Sequence, residues 1–412
     1  MRILLWHGYL LGGTGSNVYS RALAREWSLA GHEVTVVCQE RRPERYDLGG
    51  ARVVVPELPG DLLPVFVLDR YEGLEARLLG DFSAAERDAY VEANAAALRE
   101  LGPADLVFAN HVLLGAPVGA ASGMRFRVKA HGSELEYAMR GNEELSRWGA
   151  ETLAGAEAVY AGSEHIRNVL EDVCGQVERV RIVPPGVDVD EFRPEPREEA
   201  LAALLAEARA DPPNPGNAEE RCPDQGNAAR FARFFDTGSP TVVYFGKLIR
   251  NKGVQVLFEA LRGIDARTVI VGFGDYRSEL EGLAEGLDVL FTGPLEHRHL
   301  VHLLALADVS AVPSIFPEAF GMVAAEAASA GVLPVVSAHS GLAEVAAGIG
   351  EEVGPEASAL LSFAAGDAVA LRERLAAILA LPAERRRELG LAARRAVERR
   401  WSWSVVAARL LE

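Results

Sequence analysis

The chain has 412 residues, 49% of them hydrophobic and 25% charged, with a formal net charge of −17. This is the composition of a globular protein with room for two domains of ordinary size. The excess of acid argues against a nucleic-acid partner and against simple electrostatic adhesion to an anionic membrane, since both depend on a basic surface. Cys38, Cys174 and Cys222 lie far apart with no CxxC spacing, so they suit a reducing compartment and offer neither a zinc site nor a disulfide framework. The apolar run near Met1 lacks a small-residue cleavage site and passes straight into a glycine-rich loop, so it reads as a buried strand and not as a signal peptide. No apolar run reaches the ~20 residues of a spanning helix. A cytoplasmic location is expected, with peripheral contact to a membrane left open.

In chain order, residues 3–7 form a first strand. The loop Leu11-Gly12-Gly13-Thr14-Gly15-Ser16-Asn17 follows, then a helix from about Val18 to Ala30, closed by Gly31. Residues 33–38 form the next strand, completing a βαβ unit with a glycine-rich first turn. The loop lacks GxGxxG, which rejects a dinucleotide site. Further strands are expected at 52–55, 106–111, 128–130, 158–163 and 180–183, with a helix from about Ala84 to Glu100 and Ser163 as an N-cap. Residues 194–239 are rich in Pro, Asn, Gly and Ala and read as a linker with one helix-prone stretch, Glu198 to Arg209. The alternation then restarts, with strands at 241–245, 267–272, 288–293, 309–312 and 332–337, a loop at Gly341, and a helical tail from about Val369 to Leu411. The expected division is 1–190, a linker over 191–239, 240–392, and a final helix over 393–412. Two βαβα runs joined by a linker predict an α/β protein with a ligand cleft between two domains.

The segment Pro313-Ser314-Ile315-Phe316-Pro317-Glu318-Ala319-Phe320-Gly321 leads from an apolar strand into an Ala-rich helix carrying Glu326, about two turns in. A helix start at the carboxyl edge of a parallel sheet offers free N–H groups to a phosphate. A carboxylate on each side could hold sugar hydroxyls. Equally, Glu318 and Glu326 could be a surface acid and a helix-face acid with no shared task. Lys247 and Lys252 flank a tight turn with Gly246 and Gly253, and two fixed cations suit a diphosphate that gains charge on departure. His131 sits at a strand end beside Gly132 and could orient a hydroxyl or simply pack. His297, His299 and His302 do not share one helical face, so no metal site is expected. Arg385-Arg386-Arg387, Arg394-Arg395 and Arg399-Arg400 read as a solvated helix surface.

Together these residues resemble the retaining, nucleotide-sugar-dependent glycosyltransferases of the GT-B fold, in the family numbered 4. Phe245-Gly246-Lys247-Leu248-Ile249-Arg250-Asn251-Lys252-Gly253 is similar to that family's diphosphate-binding element, with Lys247 in place of the commoner arginine. Glu318 to Glu326 has the E-x7-E spacing, Ala130-His131-Gly132 matches the first-domain histidine, and Pro185-Gly186-Val187-Asp188 through Phe192 and Pro194 matches the interdomain segment. The resemblance implies two Rossmann-like domains facing across a cleft, with the last helix crossing back to the first domain. It implies that Lys247 and Lys252 hold the donor diphosphate, that Glu318 contacts the donor sugar, that Glu326 binds the ribose, and that His131 lies beside the transferred sugar. Gly15, Gly246, Gly272, Leu295, Phe320, Gly321, Met322 and Val323 would line the donor. Gly15-Ser16-Asn17-Val18-Tyr19 resembles the variant in members that make mycothiol precursors or sucrose phosphate, which implies an acceptor contact at Asn17.

The implied reaction moves a sugar from a UDP- or GDP-sugar to a hydroxyl with retention, by front-face attack, without a metal or other cofactor. The acceptor would be a small molecule, a glycan or a lipid-linked group. The sequence leaves open a GT-B-fold sugar-nucleotide epimerase or phosphorylase, and a silent sugar-nucleotide-binding protein.

Overall fold

The computed structural model describes residues 1–13, 15–68, 71, 73–214, 221–236 and 238–412. By internal contacts the chain divides into two units, Met1–Gly186 with Trp403–Glu412, and Val187–Ser402.

The first unit contains strands β1 (Arg2–Trp6), β2 (Glu33–Val37), β3 (Arg52–Val54), β4 (Leu62–Val65), β5 (Glu75–Leu78), β6 (Leu106–Asn110), β7 (Phe126–Lys129), β8 (Val159–Ala161) and β9 (Val180–Ile182). Seven of them form a sheet in the order β3-β2-β1-β6-β7-β8-β9, parallel throughout. β4 and β5, in a segment that carries no clear strand pattern, pair separately. The central strands carry buried apolar runs, Ile3–Trp6 in β1 and Leu106–Ala109 in β6, which is the pattern of a parallel sheet covered on both faces. Caps fix several helix starts. Ser163 accepts from the Ile166 N–H, as its position predicts, and Ser83 forms a reciprocal capping box with Glu86 at the head of helix Ala84–Glu100.

The last helix, Trp403–Leu411, belongs to this unit. Trp27 Nε1 donates to the Ala407 carbonyl at 2.9 Å, and the Tyr160 hydroxyl and Arg127 Nη1 donate to that of Leu410 at 2.8 and 2.7 Å. The expected boundary at 393 is corrected. Helix Ala383–Arg400 buries Leu389, Ala393, Ala396 and Val397 in the core of the second unit, and only residues from Trp403 onward join the first.

The second unit contains β10 (Thr241–Phe245), β11 (Arg267–Val271), β12 (Val289–Phe291), β13 (Val309–Val312), β14 (Pro334–Ser337) and β15 (Ser362–Phe363), ordered β12-β11-β10-β13-β14-β15 and parallel throughout. Gly341 lies inside helix Ser340–Val353 and not in a loop. The segment read as a linker is corrected in part: its helix-prone stretch, Glu198 to Arg209, is helical as expected, but the segment packs as part of the second unit. Helices Arg197–Ala210 and Asn227–Phe234 send Ala200, Leu204, Phe231 and Phe234 into the second unit's core, so apolar burial overrides the loop-like composition around them. Part of the expected loop, residues 215–220, lies outside the described residues.

In each unit the chain builds outward from a central strand and then crosses to its other side. The switch falls between β1 and β6 in the first unit and between β10 and β13 in the second. Loops at the carboxyl ends of such strand pairs diverge and leave room for a ligand.

Candidate donor and acceptor sites

In the second unit, β10 runs into Gly246 and Lys247, then into the turn Arg250–Lys252 and helix Val254–Leu261. β13 runs into the loop carrying Glu318. The two loops touch through backbone. The Ile315 N–H donates to the Asn251 carbonyl at 2.9 Å. Gly253 has φ +73°, and a Cβ there would lie 1.9 Å from the Pro313 carbonyl oxygen. Only glycine permits that approach. At Gly272, φ +143°, a Cβ would lie 1.8 Å from the Gly246 carbonyl oxygen.

This close fit joins the Lys252 Nζ to Glu318 Oε1 at 2.5 Å. The Ser314 hydroxyl is 2.8 Å from the same carboxylate oxygen. Lys247 is exposed and forms no ion pair among the described residues. So of the two cations that the sequence singles out, Lys252 is anchored to a carboxylate and Lys247 is free to meet an anion.

Phe320 is buried edge-on against Trp401, with ring centroids 5.4 Å apart. Gly321, φ +112°, opens helix Met322–Ser329, which has no side-chain cap. The first-turn N–H groups of Met322 and Val323 therefore stand without an intrahelical partner, at the positive end of the helix. Glu326 is the fifth residue of this helix, little more than one turn in. The expected two turns are corrected because the loop stays irregular as far as Gly321. Burial pushes the Glu326 carboxyl up, His297 opposes this, and Glu191 adds to it. Leu295 packs partly buried against the second-unit core, just before helix His297–Ala305.

The three histidines of that helix each take a different carboxylate: His297 with Glu191 at 3.3 Å, His299 with Asp211 at 3.0 Å and His302 with Glu195 at 2.7 Å. They pin the segment before β10 onto the unit. The C-terminal arginines are similarly engaged. Arg394 donates to the carbonyls of Val189, Phe192 and Ser329, and Arg399 and Arg400 pair with Glu352 and Glu351.

In the first unit the carboxyl ends of β1, β6 and β7 bring His7, His111 and His131 together. His131 and His111 ring centroids are 4.6 Å apart, and those of His111 and His7 are 6.0 Å apart. His131 Nε2 is 2.9 Å from Asn110 Oδ1, and its backbone N–H donates to Glu134 Oε1 at 2.9 Å. Burial drives the His131 pKa well below the usual value, and the neighbouring His111, Lys129 and His7 act in the same direction. His131 is therefore a neutral imidazole at ordinary pH. His111 is buried at φ +74°, and neither ring nitrogen has a hydrogen bond among the described residues.

Asn17, the implied acceptor contact, faces the interior of the first unit. It is buried, its Oδ1 lies 2.8 Å from His7 Nε2, and its Nδ2 donates to the Gly12 carbonyl. Both ends of the amide are engaged, so the residue braces the first loop against β1. Gly15 is exposed at the start of helix Gly15–Leu29, and Thr14 lies outside the described residues. Sequence reasoning missed Lys129, which is 2% exposed, with its Nζ 2.7 Å from the Val183 carbonyl. It also missed His339 and Ser340, whose hydrogen bonds reach the Glu318 loop. A strand-end position was the one signal available for each.

Two parallel α/β units are the architecture of the GT-B glycosyltransferases, and comparison with known proteins places the chain in that class. Residues 13–191 match the family described as Glycosyltransferase Family 4, and residues 226–396 match that described as Glycosyl transferases group 1. The chain is 30% identical to a GDP-mannose-dependent alpha-(1-6)-phosphatidylinositol monomannoside mannosyltransferase of Mycobacterium tuberculosis, over 73% of this chain and 72% of that protein. It is 32% identical to a D-inositol 3-phosphate glycosyltransferase of Xylanimonas cellulosilytica, over 63% of this chain and 58% of that protein. Its fold is similar to that of a sucrose-phosphate synthase from Thermosynechococcus elongatus, with TM-score 0.68, 22% identity, and coverage of 100% of this chain and 97% of that one. The chain belongs to glycosyltransferase family 4. No helix among the described residues is long and apolar enough to cross a membrane.

Proposed function

We propose that the protein transfers a hexose from a nucleotide-diphosphate sugar, UDP- or GDP-linked, to a hydroxyl acceptor, with retention and without a metal. The observation that carries this reading is the Lys252–Glu318 pair at 2.5 Å, set at the switch point of the second sheet. Lys252 and the exposed Lys247 stabilise the departing diphosphate, which gains charge as the glycosidic bond breaks. The unpartnered N–H groups of Met322 and Val323 add to that stabilisation. Glu318 accepts hydroxyls of the donor sugar. Glu326 accepts those of the ribose. Neither carboxylate acts as acid or base, since the leaving phosphate can take the acceptor's proton. His131, held neutral with its Nε2 proton on Asn110 Oδ1, offers Nδ1 as an acceptor to a hydroxyl of the transferred sugar and does not take that proton.

For the acceptor, the names of the two relatives share an inositol bearing a phosphate ester, free in one and lipid-linked in the other. We therefore favour a phosphorylated cyclitol or its lipid-linked form, and GDP-mannose among the donors. Release of free nucleotide from a panel of UDP-, GDP- and ADP-sugars, with and without inositol phosphate, tests the reading. Turnover must persist in a metal chelator and fall in Lys252→Ala and Glu318→Ala. Turnover that needs an added divalent cation would overturn the metal-free part.

A further inference from the structure

The loop that carries Glu318 is tied to the junction between β14 and helix Ser340–Val353. His339 Nε2 lies 2.8 Å from the Ser314 carbonyl oxygen, and its Nδ1 lies 3.0 Å from Ser340 Oγ. The Glu318 N–H donates to the same Oγ at 2.8 Å, and the Gly341 N–H donates to the Glu318 carbonyl at 3.1 Å.

Donor and acceptor chemistry orders these contacts. A carbonyl oxygen only accepts, so Nε2 carries the proton. In the neutral ring Nδ1 then accepts, and the Ser340 hydroxyl donates to it. With its proton so committed, Ser340 Oγ accepts from Glu318. One chain thus runs from the Glu318 N–H through Ser340 and the imidazole to the Ser314 carbonyl, and it clamps both ends of the segment Ser314–Glu318. The Ser314 hydroxyl has three acceptors in reach, the Glu318 carboxylate at 2.8 Å, the Phe316 carbonyl at 3.0 Å and the Asn251 carbonyl at 3.2 Å. The carboxylate is the nearest, and it is charged, so it takes the proton. Ser340 has φ +50°, a left-handed backbone that a non-glycine residue keeps where its surroundings hold it. Its hydroxyl is what the local fold gains from that conformation.

We propose that His339 is a positioning residue for transfer: through Ser340 and Ser314 it sets the backbone and the carboxylate of Glu318 against Lys252. The inference rests on the reading that Glu318 meets the donor sugar. It requires a His339 defect to appear in turnover more than in donor binding, and to be repaired by a side chain that restores the N–H to Ser314.

The test compares His339→Phe and His339→Gln with the wild-type protein, using whichever sugar nucleotide it turns over. Misplacing a contact group by about 1 Å costs on the order of 100-fold, so His339→Phe is expected to lower kcat by about that factor. Its donor KM should stay within about threefold, since a fall in kcat alone marks a contact made in the transition state. His339→Gln, whose amide N–H can reach the Ser314 carbonyl, should regain most of the loss. Wild-type kcat in His339→Phe would overturn the proposal. So would equal losses in both variants accompanied by equal falls in Tm, which would reduce His339 to packing. Nitrogen-15 NMR of the histidines reads the chain without any activity: a neutral ring protonated at Nε2 supports it, and one protonated at Nδ1 overturns it. A wild-type protein that turns over no sugar nucleotide would remove the reading of Glu318 itself, a failure distinct from an unaffected His339 variant.

Discussion

Lys252 and Glu318 are 66 positions apart in the chain, yet their ammonium and carboxylate groups meet at 2.5 Å, with side-chain exposures of 30% and 21%. A part-exposed pair of this kind contributes about 1 kcal/mol or less to stability. Its value lies in placing charge. Lys252→Ala and Glu318→Ala are therefore expected to keep a Tm close to that of the wild type while losing about 100-fold or more in kcat/KM, the scale seen when a preorganised charge contact is removed. Parallel thermal melts and donor turnover check this. A large Tm fall with turnover preserved would assign the pair to folding.

His7 is fully buried, and burial lowers its pKa to about 3, with His111 acting in the same direction. The unfolded chain binds this proton near the ordinary value of 6.5, and the folded one only near 3. Between those values the unfolded state holds more protons, so the contribution to stability is complete above 6.5 and is lost as the pH falls toward 3. The stability difference between the wild type and His7→Phe should therefore shift against the wild type over that window. Denaturant titrations at stepped pH measure it. Asn17→Ala, which strips a buried partner from His7, should cost about 1–3 kcal/mol.

Lys129 behaves with the same sign in a higher pH window. Burial lowers its pKa from 10.5 to about 7. From about 7 to 10.5 the unfolded chain holds the proton that the folded chain has released, so stability rises with pH through that window. The Tm of the wild type should climb relative to Lys129→Met between pH 7 and 10. A difference independent of pH would show that the ammonium stays charged on the Val183 carbonyl throughout.

Gly253 and Gly286 both have left-handed backbones, φ +73° and +83°, but their surroundings differ. At Gly286 nothing lies within 4 Å of an added Cβ, whereas at Gly253 the Pro313 carbonyl oxygen would be 1.9 Å away. Gly286→Ala should cost about 1–2 kcal/mol from φ alone. Gly253→Ala adds a backbone clash between the two site loops, and its cost should exceed about 4 kcal/mol. Urea unfolding of the two variants separates the terms.

The strands of both sheets were legible because central parallel strands are continuous apolar runs, as at β1, β6 and β10. β15 was not, since Ser362–Phe363 is too short to carry a pattern. The segment over 191–239 misled in part: its helix-prone stretch, Glu198 to Arg209, is helix Arg197–Ala210, but the prolines and asparagines around it mask the second helix, Asn227–Phe234, and the burial of both in the second unit's core. Lys252 and Glu318 could be found from sequence since each sits in a dense local motif. The Ser314–His339–Ser340 chain could not, because it consists of hydrogen bonds between segments about one βα unit apart and has no periodicity. Asn17 was singled out by its motif, and the structure adds what the motif could not carry: its side chain turns inward to His7 and Gly12.

The central claim is that the Lys252–Glu318 pair serves transfer from a sugar nucleotide. The most direct measurement is nucleotide release by the wild type, Lys252→Ala and Glu318→Ala, with GDP-mannose and with UDP-sugars in the presence of inositol phosphate. The expected result is acceptor-dependent release by the wild type and loss of about 100-fold or more in each variant. Equal release by all three proteins, or none by the wild type with any donor, would contradict it.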